Sequence, residues 1–393
     1  MKKQRSQNHN SLHHAGWVIV DSETIIPNGW ILLENGRIKG VYSSRPKDAA
    51  PQSFTDHGPG VLMPPLVNAH LHLELSALKG CLPMNKGFQH WITELLKKRE
   101  ALGEDALKKG AKKAISELES QGKLYIGEIS TLGITKTLLE NSDLSGIFFR
   151  EFPGETIPEK LEIKKSPGFS NSLAISLAGH APHTTSPQLL QLLKQQSLKH
   201  GLPFSIHVAE SEAEMEFMDK KKGDWADLLT LRGINYKNWE IGGLSPVAYL
   251  NKLKILDRKT LTVHLLHLTD NDINIIKNSG TQICVCPTSN YRLHGKLPDL
   301  TKMIKNGLEP ALGTDSLASV DSLDIREEMK FTVRHYPELR PESIFNMTTK
   351  NGAKALGLEL LTGTLEPGKK ADFIYLPVNA GNKKELIRAI VNG

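Results

Sequence analysis

Cysteine is scarce: the 393-residue chain holds three, Cys81, Cys284 and Cys286. An odd number with no paired spacing builds no disulfide framework, and there is no CxxC metal or redox motif. Reduced thiols in the cytoplasm are the expectation. Cys284 and Cys286 lie two apart in an apolar run, so on a strand they point the same way and read as small core fillers. Long apolar runs are missing too. None approaches the roughly 18 residues of a membrane span. Residues 1–12 are polar and basic, without the apolar segment of about 7–15 residues that a secretory signal needs. They read as a loose head, where His9, His13 and His14 need no purpose beyond casual metal binding. Internal repeats and low-complexity tracts are absent. The charge is only mildly one-sided, at net +6. Its lysines and arginines are scattered rather than striped and come with no nucleic-acid-binding motif, which argues against nucleic acid. The cluster Lys220-Lys221-Lys222 reads as a solvated loop. What is present is ordinary globular composition, with 39% hydrophobic and 23% charged residues.

Turn signals at Pro27-Asn28-Gly29 and Glu34-Asn35-Gly36 separate short strands at residues 16–20, 29–34 and 37–42. This small antiparallel unit closes around Pro59-Gly60. Residues 363–375 show a related turn-then-strand texture. Both chain ends are therefore expected to build one small β-sandwich domain, residues 1–60 and 360–393. Residues 61–359 alternate short apolar runs with amphipathic stretches at 92–99, 106–119, 187–200 and 213–220. Eight strands are expected to end near residues 70–74, 128–130, 150–154, 180–183, 207–210, 264–267, 286–290 and 313–315. An eightfold alternation over about 260 residues is what an α/β fold of the (β/α)8, TIM-like barrel type requires. A doubly wound open sheet would not normally place ligand-type residues after almost every strand.

Those strand ends carry the chemistry. His70 and His72, two apart on a strand, project from one face and can grip one ion. Imidazole nitrogen suits zinc or iron. His207 ends the fifth strand and Asp315 the eighth. The three histidines and the aspartate would surround an ion and leave one position for water, which is the pattern of a catalytic rather than a structural site. His264, ending the sixth strand, is placed to hydrogen-bond that water or the substrate. Glu210, three residues past His207, is placed to move a proton between water and a leaving group.

The motifs Pro64-Pro65-Leu66-Val67-Asn68-Ala69-His70-Leu71-His72-Leu73-Glu74, His180-Ala181-Pro182-His183-Thr184-Thr185-Ser186-Pro187, Ile206-His207-Val208-Ala209-Glu210-Ser211, Cys286-Pro287-Thr288-Ser289-Asn290 and Leu312-Gly313-Thr314-Asp315-Ser316 together resemble the amidohydrolase superfamily. The glutamate three residues after the strand-five histidine is similar to the deaminase and chlorohydrolase branch, which acts on purine, pyrimidine and triazine rings. Two-metal members bridge their ions with a lysine or glutamate at or near the end of strand four. Residues 173–180 have neither, so the resemblance implies one divalent metal, zinc or iron. It also implies that Asp315 accepts the water proton while touching the metal, that His264 orients the nucleophile and that Glu210 protonates a ring nitrogen.

A narrower resemblance is to the aminodeoxyfutalosine deaminases of the alternative menaquinone route. It rests on residues 70–76, 127–130, 150–154, 210–220 and 286–293. It implies a small-molecule substrate of adenine-nucleoside type, 6-amino-6-deoxyfutalosine, with ammonia as product. Deamination of S-adenosylhomocysteine, methylthioadenosine or guanine, triazine dechlorination and a catalytically dead scaffold are the alternatives, and homo-oligomerisation is left open. Substrate-contacting candidates are Glu74, Glu151, His180 and Asn290. His180 resembles the substrate-contacting histidine of related nucleoside deaminases, and the other three have plainer readings. Glu74 would cap the helix after strand one, Glu151 would pair with Arg150, and Asn290 would brace the site or satisfy its loop. His183 reads as a packing or rim residue, Trp225 as a helix anchor or part of a lid over the pocket, and His267 as a residue supporting the site or the core. Relatives continue into a last strand beyond residues 390–393, which leaves the β domain here clipped or short.

Overall fold

A computed structural model of the chain describes residues 10–47, 51–165 and 173–393; His9 lies outside them. The chain opens on a long hairpin in which β1 (Asn10–Ile19) pairs antiparallel with β2 (Ile25–Glu34). That strand turns into β3 (Arg37–Tyr42) through Asn35 and Gly36, both at positive φ, 55° and 75°. Asparagine and glycine tolerate this left-handed backbone, which matches the twist of the flanking strands. β4 (Ser53–Asp56) and β5 (Val61–Met63) run parallel to β1. The first strand begins at Asn10 rather than at residue 16, which takes His13 and His14 out of the expected loose head and into the sheet. There His13 Nδ1 meets His57 Nε2 at 3.0 Å and His14 Nδ1 meets Asp56 at 3.1 Å.

Eight short apolar strands follow: β6 (Leu66–Leu71), β7 (Leu124–Ser130), β8 (Ser145–Phe152), β9 (Ala174–Gly179), β10 (Phe204–Val208), β11 (Thr260–His264), β12 (Gln282–Val285) and β13 (Ala311–Leu312). They are nearly all buried because helices cover the outside and side chains fill the inside. Neighbours pair in parallel and in sequence order. The ring closes where Leu71 bridges Asp315 in parallel and the Asp315 N–H donates to the His70 carbonyl at 3.1 Å. The result is a (β/α)8 barrel with a separate six-stranded sheet. The first barrel helix, Phe88–Glu119, breaks at Gly103, where φ is 71°, into the two amphipathic stretches expected around 92–99 and 106–119. Cys284 and Cys286 are buried, and Cys81 is exposed.

The C-terminal segment divides. β14 (Ile374–Leu376) joins the small sheet by pairing antiparallel with β5. Residues expected to belong wholly to the β domain then leave it: Lys383–Asn392 is a helix whose Leu386, Ile387, Ile390 and Val391 are buried. It packs against the barrel helices Ile325–His335 and Pro341–Met347. Among the described residues no helix is long and apolar enough to cross a membrane.

Candidate active site

Alternation along β6 turns Asn68, His70 and His72 to one side, the barrel interior. Asn68 fixes the register of that strand against the chain after β13, donating to Thr314 Oγ1 at 2.7 Å and accepting from the Thr314 N–H at 3.1 Å. His70 and Asp315 are thereby brought together from residues far apart in sequence. His70 Nε2 and His72 Nε2 lie 3.2 Å apart, and His72 Nε2 and His207 Nε2 lie 3.4 Å apart. Asp315 Oδ1 is 3.7 Å from His72 Nε2 and 4.0 Å from His70 Nε2. Tetrahedral coordination with bonds of about 2.0–2.1 Å places neighbouring ligand atoms roughly 3.3–3.4 Å apart, so this spacing fits one divalent ion. The charge state fits as well. Burial holds His70 well below the ordinary imidazole value and His72 down to about 4, reinforced in each case by neighbouring imidazoles. Neutral rings converging on one point are ligands in search of a cation.

Surrounding groups set the ring orientations. His207 Nδ1 donates to the His180 carbonyl at 2.7 Å, which leaves Nε2 free as a ligand. Asn290 Nδ2 lies 3.0 Å from His264 Nδ1, so with the amide nitrogen donating, Nε2 of His264 carries the ring proton. Ser289 and Ser319 both donate to Asp315 Oδ2, the latter at 3.2 Å, and leave Oδ1 towards the histidines. Ala209, His264 and Asp315 adopt left-handed backbone, with φ of 53°, 76° and 62°. Such strain in non-glycine residues concentrates at functional sites.

Glu210 stands beside this cluster. Its Oε1 is 3.8 Å from His264 Nε2 and 3.4 Å from His294 Nε2. Burial pushes its carboxyl up, but His264, His294 and His207 together hold it well below the usual carboxylate range. Asp315 goes the other way, raised by burial against the pull of His264 and Ser289.

A cavity of about 390 Å³ opens over these groups, lined among others by Glu74, Glu151, His180, His183 and Trp225. Glu74 is committed internally, accepting from Ser130 Oγ at 2.6 Å and from the Thr131 and Leu132 N–H groups at 3.0 Å each. Glu151 is half committed. Its Oε2 accepts from Thr131 Oγ1 at 2.6 Å, while Oε1 is buried without a partner, 3.5 Å from His207 Nδ1. Arg150, on the other face of β8, donates to the Ser130 carbonyl. His180 Nδ1 meets Thr184 Oγ1 at 2.6 Å, and burial holds its ring down to about 4. Glu151, His180 and His207 form a second group of metal-type donors, sharing His207 with the first. Asn290 lies behind His264, fully buried, and does not line the cavity. His183 and Trp225 do line it, with rings 4.2 Å apart. His267 is half-buried, 3.1 Å from Lys296 Nζ.

Several supporting residues escape the motif reading. Glu214 accepts from the N–H groups of Ala209, at 2.9 Å, and Glu210, at 2.7 Å, and so fixes the strained turn that presents Glu210. Its signal is Ser211-Glu212-Ala213-Glu214, a helix-start pattern. Glu128 holds the turn after β6 by accepting from the Leu73 N–H at 2.9 Å. His294 follows Asn290 by four residues on one helix face, the spacing that would have flagged it.

A parallel eight-stranded barrel that gathers imidazoles and carboxylates at its C-terminal strand ends defines a barrel enzyme with a cation-binding donor set. The amidohydrolase family profile matches residues 61–393. The chain belongs to the amidohydrolase family. It is 31% identical over 329 residues to a protein of Deinococcus radiodurans named aminodeoxyfutalosine deaminase, covering 78% of this chain and 76% of that one. It is 29% identical over 338 residues to a 5'-deoxyadenosine deaminase of Methanosphaera stadtmanae, covering 81% of this chain and 74% of the relative. A crystal structure of Helicobacter pylori aminofutalosine deaminase in complex with methylthio-coformycin superposes with a TM-score of 0.82. That match covers 97% of this chain and 96% of the other at 23% identity, a likeness of fold.

Proposed function

We propose that the chain is a hydrolytic deaminase of a 6-aminopurine nucleoside, 6-amino-6-deoxyfutalosine of the alternative menaquinone route, releasing ammonia. The observation that carries deamination is the placement of Glu210, a carboxylate over the cavity within reach of His264 and beside the imidazole cluster. The relatives named 5'-deoxyadenosine deaminase and aminodeoxyfutalosine deaminase support it. His70, His72, His207 and Asp315 would hold one divalent ion, zinc or iron in its place, whose Lewis acidity makes water nucleophilic near neutral pH. Asp315 takes a proton from the attacking water at Oδ1, the oxygen its serines leave free. His264 orients that water through Nε2. Glu210 delivers a proton from Oε1 to the ring nitrogen beside the amino-bearing carbon, which makes that carbon electrophilic. Oε1 of Glu151 and the ring of His180 are the available groups for the sugar or the base. Free thiols at Cys81, Cys284 and Cys286 accord with a cytoplasmic setting.

The narrower choice of substrate rests on the residues that line the cavity. Trp91, Leu95 and Arg99 recur every four residues on the first barrel helix, and all line the cavity. Arg99 is thus two turns, about 12 Å, beyond Trp91, whose indole N–H donates to the Ala318 carbonyl near Asp315. A second helix, Asp224–Leu231, adds Trp225, Leu228 and Leu229, and Arg232 follows it. The lining thus combines these apolar side chains with two guanidinium groups, Arg99 and Arg232, the latter 3.6 Å from Glu100, and Arg99 would suit an aryl carboxylate on the 5′ side of the nucleoside. A hydrogen or methylthio group in that place would offer Arg99 no anion, and the zwitterion of S-adenosylhomocysteine would bring a charged ammonium beside it. Ammonia release should therefore be fastest with 6-amino-6-deoxyfutalosine among 5'-deoxyadenosine, methylthioadenosine, S-adenosylhomocysteine and guanine. Arg99→Ala should raise KM for the aryl carboxylate about tenfold, the value of one charged hydrogen bond, and leave 5'-deoxyadenosine almost unaffected. Activity on guanine alone, or on none of the five, would sink the reading.

A further inference from the structure

Among the described residues, two imidazole nitrogens lie within 4 Å of the Glu210 carboxylate, those of His264 and His294. His264 stands beside the ligand cluster, braced by Asn290. His294 is the last residue of the helix Pro287–His294, one turn beyond the Asn290 that braces His264. Its ring packs on Phe88, with centroids 4.4 Å apart. Beyond it lies a second cavity of about 410 Å³. Phe88 and Leu293 line both cavities and so form part of the wall between them. Glu210 lines only the inner cavity and His294 only the outer, and the two meet across the wall at 3.4 Å. The charged groups around the outer cavity are Lys86, Glu212, Asp224, His267 and Lys296.

We propose that His294 carries protons between the outer cavity and Glu210, reloading the Glu210 carboxylate after each turnover. The inference rests on the deaminase reading above. In that reaction the attacking water supplies the oxygen that replaces the amino group, both its hydrogens pass to that amino group, which leaves as ammonium, and the ring nitrogen keeps the hydrogen that Glu210 delivers. The carbon–oxygen bond forms and the carbon–nitrogen bond breaks. The hydrogen that Glu210 delivers stays on the product, so Glu210 ends the cycle ionised and must be recharged from water. His264 is poorly placed for this, since its Nδ1 faces Asn290 inside the protein and its Nε2 faces the reacting groups. His294 has a nitrogen on Glu210 and a ring in the wall of a polar cavity. Imidazole, which can gain a proton at one nitrogen and lose it from the other near neutral pH, is the side chain for such a transfer. His294 acts through Glu210, as a positioning and relay residue.

The test uses the metal-loaded full chain, with His294→Ala and His294→Gln compared under imidazole added to the buffer. Metal content and melting midpoint should match wild type, and KM should stay within about twofold. Turnover should fall at least about tenfold in both variants, at the low end of acid–base contributions. Added imidazole should restore His294→Ala saturably. Glutamine keeps a hydrogen bond but carries no proton, so His294→Gln should be as slow as His294→Ala. Wild-type turnover in either variant, or a slow His294→Ala that imidazole does not rescue, overturns this proposal alone. A wild-type chain that releases ammonia from no adenine nucleoside overturns the deaminase reading and this proposal with it.

Discussion

Glu210, partly buried, and Asp315, buried, are carboxylates near the same imidazoles, yet they are driven in opposite directions. At Asp315 burial wins and raises the carboxyl, in the absence of an ion. At Glu210 the surrounding imidazoles win and keep it ionised in the absence of ligand. Glu210→Gln should keep the ion and lose about 10²–10⁴-fold in turnover, the usual contribution of a general acid–base group. His70→Ala should lose ion and activity together. Metal analysis alongside steady-state kinetics checks both, and a Glu210→Gln variant near wild-type rate would remove Glu210 from the mechanism.

Between elements, the critical junction is where β6 meets β13. A Cβ built on Gly313 would lie 2.7 Å from the His70 carbonyl oxygen and 2.8 Å from both His70 Cβ and Cys284 Sγ. No flexible side-chain end is available to yield there. Gly313→Ala should therefore push β6 outward, lower stability by about 1–3 kcal/mol as overpacked sites do, and weaken ion binding by moving His70. Denaturant titration and metal affinity measured on the same variant test this. A loss of stability with metal affinity intact would show that the two strands are not coupled in this way. The same closeness explains why Asn68 matters although it touches no reacting group: its two hydrogen bonds to Thr314 hold His70 opposite Asp315.

For the molecule as a whole, the barrel carries a buried acid with a pH consequence. Glu328 is raised to about 8 by burial, against the hydrogen bonds it accepts from Thr288. Between its unfolded value, about 4.3, and that folded value the native state binds the extra proton. Stability from this group is thus complete below the unfolded value, declines as pH rises and is gone above the folded one. Glu328→Gln should gain on wild type in melting midpoint between pH 5.5 and 8.5 by at least about 2 °C. A difference independent of pH would show that Glu328 does not titrate there.

How far the site was legible in the chain follows from how local each signal is. Strand ends announce themselves by short apolar runs closed by polar residues, so His70, His72, His207, His264 and Asp315 could be placed before any coordinates. The helix Lys383–Asn392 could not be assigned to the barrel, because its apolar face says only that it packs, not on what. Asn290 and Glu74 read from the sequence as substrate contacts, whereas the structure turns them to His264 Nδ1 and to Ser130, Thr131 and Leu132, bonds that depend on neighbouring strands. By itself the sequence determined the barrel, the donor types and their order, since strand periodicity and ligand chemistry are properties of short segments. Tertiary structure alone decided which carboxylate oxygen stays free, which imidazole nitrogen faces the cavity, and that His294 reaches Glu210 across 84 residues of chain. Those depend on how distant segments pack, and no local pattern encodes a distance between them.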